Sequence, residues 1–355
     1  MANVKTVMLG DVPIGPDHPA ILMPEIGLYF NQDIGQARDT IQYMADLGVK
    51  VVKGEVFHDI EVVLDDGFVY EYETFQGHRA EKYRDLCARK VLPLETWRQL
   101  YRSCSDANIP FVVSAYDFTA IDFLEDIGAT CIKVASNNLS HLPLIRHAAK
   151  SGLPVMLDAG KCTMADVAMA IDELRQAGCE DFILNHNPDG HPAPPEAHNL
   201  RIIETYQAMI GRPVGLSCHY NGNEMLYTAI GCGYSLLEKP VVPDNTIDEA
   251  DTPWAMNLVD LPNLMKTVDA CSAARGNTFR EKIFSDADHA ARMGLVAKRN
   301  LQPGERLALD NVYFAWPCRG IIARDWKRVE GAALRQAVDE GQSISWKDVG
   351  LDTGA

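Results

Sequence analysis

Short, almost continuously apolar runs recur along the chain, and most precede a longer stretch with helical periodicity. The runs fall at residues 20–27, 51–57, 110–116, 131–136, 154–160, 181–187, 213–219 and 234–240, eight in all. Helix-like segments lie between them at 36–47, 120–127, 142–151, 164–177 and 200–210. Strands apolar on both faces, alternating with amphipathic helices, imply a parallel sheet covered by helices. Eight such units over roughly 250 residues predict an α/β fold of the (β/α)8 TIM-barrel type. An open doubly wound sheet is the competitor, but no Gly-rich dinucleotide loop follows the first run.

The interval between the second and third runs is longer than the others. It holds a polar, aromatic stretch at 65–84, with Tyr70, Tyr72 and Phe75, before a helix expected near 94–106. That stretch reads as a loop inserted over the barrel mouth, or equally as a plain surface insertion. Past Asn257 the texture changes to a helix at 261–274, a polar linker, and then short strands and turns. The organisation expected is a barrel over 1–274, a linker over 275–292 and a small β-rich domain over 293–355, with a helix at 325–338. A unit of about 60 residues is marginal alone and is expected to pack on a partner.

Composition narrows the partners. The net charge of −16 argues against nucleic acid or an anionic membrane as the main partner, while leaving a small anionic substrate open. The nine cysteines include no CxxC pair, which reads as reduced thiols in a cytoplasm. No signal-peptide core follows Met1, and no apolar run approaches the ~20 residues of a membrane span. A cytoplasmic protein is the expectation.

In such a barrel the polar residues at the C-terminal ends of the strands are the candidates for chemistry. Lys133 sits inside the apolar run 131–136, where an ammonium is costly unless it meets an anion or snorkels to water. Ser136 and Asn137 end that run. Lys53 and Glu55 belong to the second run, Ser114 to the third, Asp158 and Lys161 to the fifth, and Glu238 and Lys239 to the eighth. Lys53 and Lys133, with Ser136, Asn199 and Ser217, suit a phosphate or carboxylate. His219, with Glu25 or Glu238, suits a divalent metal or acid–base work, and His186 is a second metal candidate. Asp158 and Glu55 would bind a hydroxyl or amine of a second substrate, or pair with the lysines.

The residues in this order resemble the sialic acid synthase family: N-acetylneuraminate, legionaminate and pseudaminate synthases and their spore-coat polysaccharide relatives. Pro24-Glu-Ile-Gly27 is similar to the family's Ala-Glu-Ile-Gly, Ile132-Lys-Val-Ala-Ser136 to its Ile-Lys-Ile-Ala-Ser, and Gly215-Leu-Ser-Cys-His219 to its Gly-Leu-Ser-Asp-His. The tail, with Gln302-Pro-Gly-Glu305, Trp316-Pro317 and Gly320-Ile321, resembles the antifreeze-like SAF domain. The resemblance implies condensation of phosphoenolpyruvate (PEP) with a sugar aldehyde, giving a 2-keto-3-deoxy acid and phosphate. It implies Mn2+ or Mg2+ as cofactor, and a homodimer whose SAF domain caps the partner's barrel. Carried over by position, Lys53, Lys133, Ser136, Asn199 and Ser217 would hold PEP. Glu25, Asp158 and Arg319 would meet the acceptor, Glu25, Lys53, Lys133 and His219 would act in catalysis, and His219 would bind metal.

The departures concentrate in the metal and sugar half. The family's Asn-His-Asn-Gly is Tyr29-Phe-Asn-Gln32 here, its second metal His is Pro240, its Ser-Thr-Gly is Asp158-Ala-Gly160, and a Gly-x-Asp-His is not recognisable in 251–257. The tail's sugar-reaching Arg is Trp316, with Arg319 close by. An acceptor other than N-acetylmannosamine is therefore expected, with a metal arrangement that draws on His186 or His191. Two other readings stay open: an anion-binding homologue with altered catalysis, and an aldolase using Lys53 or Lys133 as a Schiff base.

Overall fold

The structure, a computed structural model, describes residues 4–28, 30, 32–250, 252–276 and 285–350. Tyr29 and Asn31 of the first departing motif, Asp251 of the last, residues 277–284 of the expected linker and the final five residues lie outside that set. The chain divides into two compact units, one ending at Gly276 and the other starting at Asn277.

The first unit opens with a hairpin, β1 (Val7–Leu9) and β2 (Val12–Ile14). Strands β3 (Ile21–Glu25) and β4 (Val52–Glu55) follow, then a second hairpin, β5 (Val69–Thr74) with β6 (Gly77–Lys82). The remaining strands are β7 (Phe111–Ala115), β8 (Cys131–Val134), β9 (Val155–Ala159), β10 (Phe182–His186), β11 (Val214–Ser217) and β12 (Leu236–Val242). Strands β3, β4, β7, β8, β9, β10, β11 and β12 pair in parallel, and β12 returns to β3, closing an eight-stranded barrel. All eight correspond to the apolar runs. Some of the helices between them start at side-chain caps, such as Asp33 and Asp117, and a Thr163/Asp166 capping box.

Alternation along the strands decides what enters the barrel. One parity, with Ile132, Val134, Leu157, Leu184 and Leu237, packs outward against the helices. The other parity places Met23, Val51, Val112, Cys131, Met156, Ile183 and Leu236 in a bottom layer, which the β1–β2 hairpin plugs with Val7, Leu9, Val12 and Ile14. One step up each strand, the same parity brings Glu25, Lys53, Ser114, Lys133, Asp158, Asn185, Ser217 and Glu238, all buried.

The inserted stretch is a hairpin, not an irregular loop, and it is anchored. Asp248 accepts from Thr74 Oγ1 at 2.7 Å and from Arg79 Nη2 at 2.6 Å. Gln76 donates to the Thr246 carbonyl, and Lys90 pairs with Glu249 at 3.3 Å.

In the second unit, Gly294–Ala297 pairs antiparallel with Val312–Ala315 around a core that includes Leu295, Leu301, Leu307, Ile321, Val338 and Ile344. The helix expected at 325–338 is confined to Trp326–Val329. Gly331 then turns the chain at φ +75°, and Ala333 and Val338 form bridges to Arg306 and Leu301. Backbone pairing across the unit outweighs local helical propensity there. All nine cysteines are free thiols, and among the described residues no helix is long and apolar enough to cross a membrane.

Candidate active site

The polar layer opens into a cavity of about 710 Å³. Glu25, Lys53, Lys133, Ser136, Asp158, Ser217 and His219, from five different strands or the loops just beyond them, all line it. Lys133 Nζ lies 2.7 and 2.8 Å from the two oxygens of Glu238 and 3.3 Å from Asp158. Lys53 Nζ contacts Glu25, donates to Glu55 at 2.7 Å and lies 3.7 Å from Glu238. Glu238 also accepts from Asn185 Nδ2 at 2.9 Å, and Asn187 Nδ2 holds Asp158 at 2.9 Å. Gly215 leaves room for this network: a Cβ there would lie 2.0 Å from Asn185 Oδ1.

Two ammoniums, Lys53 and Lys133, thus face four carboxylates: Glu25, Glu55, Asp158 and Glu238. A buried layer cannot hold two uncompensated negative charges cheaply, so a proton on Glu25 makes up part of the difference. Burial pushes Glu25 up to about 8, with Lys53 opposing and Glu238 and Glu55 adding to the rise. Burial would also raise Glu55, but Lys53 and the Tyr116 hydroxyl, donating at 2.8 Å, outweigh it and hold it at about 2. Asp158 is raised by burial, while Glu238, although buried, is lowered by the two lysines. Burial works against the charge on both lysines, yet the surrounding carboxylates keep Lys53 and Lys133 above the ordinary range. Both amines stay protonated.

His219 lines the same cavity, and its Nδ1 is buried without a partner. Burial, then His191 and the lysines, hold it well below the ordinary value. The His191 ring lies 4.2 Å from His219 and 5.7 Å from Trp254, centroid to centroid; that packing and Lys161 hold it at about 4. Both imidazoles are neutral at pH 7. Among the described residues, no three His, Cys, Asp or Glu side chains converge where an ion could sit. Position 240, level with Glu25 across the β12–β3 pairing, is proline. The donor set does not fit a metal centre held by three or more of these side chains.

Two expected residues, His186 and Asn199, do not line the cavity. His186 has the outward parity of β10: its Nε2 meets the His198 carbonyl at 2.7 Å, and its ring packs near Tyr206 and Tyr234. Asn199 is exposed, in a left-handed conformation (φ 37°) at the end of the Pro195–His198 turn, and does not line the cavity. Arg319 is an exposed residue of the second unit. Parity would have separated His186 from Asn185 and Asn187, and would have singled out Glu238 from Lys239. Lys239 donates outside the cavity, to the Tyr220 and Gly222 carbonyls at 2.5 and 3.0 Å. The approach of His191 to His219 depends on the 187–198 loop and has no local sequence signal.

Known proteins resemble the chain over most of its length. The chain is 26% identical to an uncharacterized protein of Methanocaldococcus jannaschii over 98% of this chain and 99% of that one. It is 22% identical to N,N'-diacetyllegionaminic acid synthase of Legionella pneumophila, covering 96% and 97% of the two chains. The crystal structure of N-acetylneuraminic acid (sialic acid) synthetase from Leptospira borgpetersenii, in complex with citrate, superposes with a TM-score of 0.72 at 22% identity, covering 80% of this chain and 95% of that one, and shares the fold. The NeuB family model matches residues 40–280 and the SAF domain model residues 292–350, so the chain belongs to the NeuB family and carries a C-terminal SAF domain.

Proposed function

We propose that the cavity condenses PEP with a sugar-type aldehyde to give a 2-keto-3-deoxy acid and phosphate. The observation that carries the reading is the convergence of two protonated lysines, Lys53 and Lys133, with Ser136 and Ser217, beside a carboxyl protonated at neutral pH, Glu25. The lysines and hydroxyls bind the phosphate and carboxylate of PEP. The PEP C3 attacks the aldehyde carbon, and the carbonyl oxygen takes the Glu25 proton as it becomes a hydroxyl. Water adds to the cationic C2 and returns a proton to Glu25; the C2–O bond to phosphorus then breaks, and the departing phosphate takes the proton of the new C2 hydroxyl, leaving a ketone. Asp158 stands beside Lys133 to bind a hydroxyl of the acceptor. Asn199 and His186 have no part in this scheme, and no step runs through a metal. A dimer in which a partner's C-terminal domain brings Arg319 to the acceptor belongs to the same proposal, with sedimentation as its check.

A Schiff-base aldolase needs a neutral amine, and neither cavity lysine offers one. Pro240 motivates the other alternative, a homologue that binds the anion without turnover. The test is phosphate release from PEP across a panel of aldoses and acetamido sugars, with and without Mn2+ or Mg2+, and with Lys133→Ala as control. Release with a particular acceptor, lost in the variant, supports the synthase. PEP binding without release from any acceptor supports the alternative.

A further inference from the structure

Asp158 stands in the polar layer with one oxygen engaged and one idle. Its Oδ2 accepts from Asn187 Nδ2 at 2.9 Å and lies 3.3 Å from Lys133 Nζ, while its Oδ1 has no hydrogen-bond partner among the described residues. The residue lines the cavity and is only 3% exposed. Two other atoms of cavity-lining residues, Ser114 Oγ and His219 Nδ1, are idle in the same way and can act as acceptors. The donors nearby are spent: Asn185 Nδ2 goes to Glu238, the Tyr116 hydroxyl to Glu55, and both lysines are shared among carboxylates. A buried carboxylate oxygen without a donor is costly, and a ligand that brings N–H or O–H groups removes that cost.

The charge count selects between those two kinds of donor. Lys53 and Lys133 bring two positive charges against the four carboxyl groups of Glu25, Glu55, Asp158 and Glu238. With a proton on Glu25, one carboxylate still lacks a cation, and of the four residues only Asp158 has a buried oxygen without a partner. PEP enters the same cavity as an anion and deepens the deficit. Covering the mouth with a second chain would exclude more water and make the unmatched charge costlier. A hydroxyl at Oδ1 supplies a hydrogen bond but no charge, whereas an ammonium supplies both. We infer that the acceptor is an amino sugar whose amine is free and protonated: its aldehyde end meets Glu25 and its ammonium meets Asp158. An N-acetylated amine carries no charge and leaves the deficit in place. The inference rests on the condensation proposed above, and it narrows the Asp158 contact from a hydroxyl to a charged donor.

The test uses the full chain with PEP present, at about pH 6.5, where such amines are largely protonated. The 2-, 4- and 6-amino-deoxyhexoses of gluco and manno configuration are each compared with the parent hexose and with the N-acetyl derivative. Binding is read by calorimetry and turnover by phosphate release. At least one amine is expected to bind about thirtyfold or more tightly than its parent hexose and its amide. Asp158→Asn is expected to erase that ratio while keeping or strengthening PEP binding, which shows that the variant is folded. The wild-type ratio needs no variant: it should also fall as pH rises past the amine's own pKa. Equal, weaker or undetectable binding of every amine overturns the inference, as does a ratio that survives in Asp158→Asn. So does Mn2+ binding that makes all the sugars equal and is lost in Asp158→Asn, since the missing charge is then the metal's. An amine preference without phosphate release sustains the inference and refutes the condensation. Release that favours the parent hexoses or the amides does the reverse.

Discussion

Glu25→Gln isolates the protonated carboxyl on which the chemistry depends. Lys53 supplies one ammonium to Glu25, Glu55 and Glu238, and Glu55 keeps its charge through the added Tyr116 hydrogen bond, so Glu25 takes up the proton. Raising a carboxyl from 4.5 to about 8 destabilises the fold between those values, because the unfolded chain releases the proton there while the buried group keeps it. Its contribution to stability is complete below pH 4.5 and is lost as pH climbs through 8. At 1.36 kcal/mol per pH unit the whole loss is about 5 kcal/mol, of which about 2 kcal/mol falls between pH 6.5 and 8. The lowered histidines act with the opposite sign at lower pH, where stability is lost as pH falls, and they cancel when wild type and variant are compared. Thermal unfolding at pH 6.5, 7.5 and 8.5 should show Glu25→Gln gaining roughly 4 °C or more on wild type across the range. Wild-type kcat/KM should fall as pH rises through about 8, and the variant should lose that limb together with most of its activity. Parallel stability profiles for the two proteins would refute the assignment of the proton to Glu25.

Lys133→Met leaves Glu238 and Asp158 without their ammonium, 2.7 and 3.3 Å away in the native protein. It should cost about 3–5 kcal/mol by denaturant unfolding of the barrel, along with measurable PEP binding; a loss under 1 kcal/mol would show that the pair is not buried as described. PEP binding should also take up protons, since an anion entering beside Asp158 raises that carboxyl further. Calorimetry at pH 7.5 in buffers of different ionisation enthalpy should show net uptake that shrinks in Asp158→Asn, and buffer-independent heats would contradict it.

Much of the barrel is legible in the sequence because parallel strands buried on both faces leave an unbroken apolar signature. The charged layer is legible too, since few other sites tolerate Lys133 between Ile132 and Val134. Facing is harder to read, because apolar residues on both faces hide the alternation that would have sent His186 outward. The 325–338 segment misleads for a different reason: Val329, Leu334 and Val338 are all buried, but their partners come from strands and bridges distant in sequence. Nothing local reveals Asn199 or His191, whose positions follow from the backbone path of a loop.

The central claim is tested most directly with PEP carrying 18O in the oxygen that bridges carbon and phosphorus, incubated with the enzyme and an acceptor that supports phosphate release. Condensation breaks the C2–O bond, so the label should appear in phosphate, mole for mole with aldehyde consumed. Unlabelled phosphate, with 18O left in the keto acid or its water-exchanged form and the aldehyde untouched, would show simple P–O hydrolysis and contradict the account.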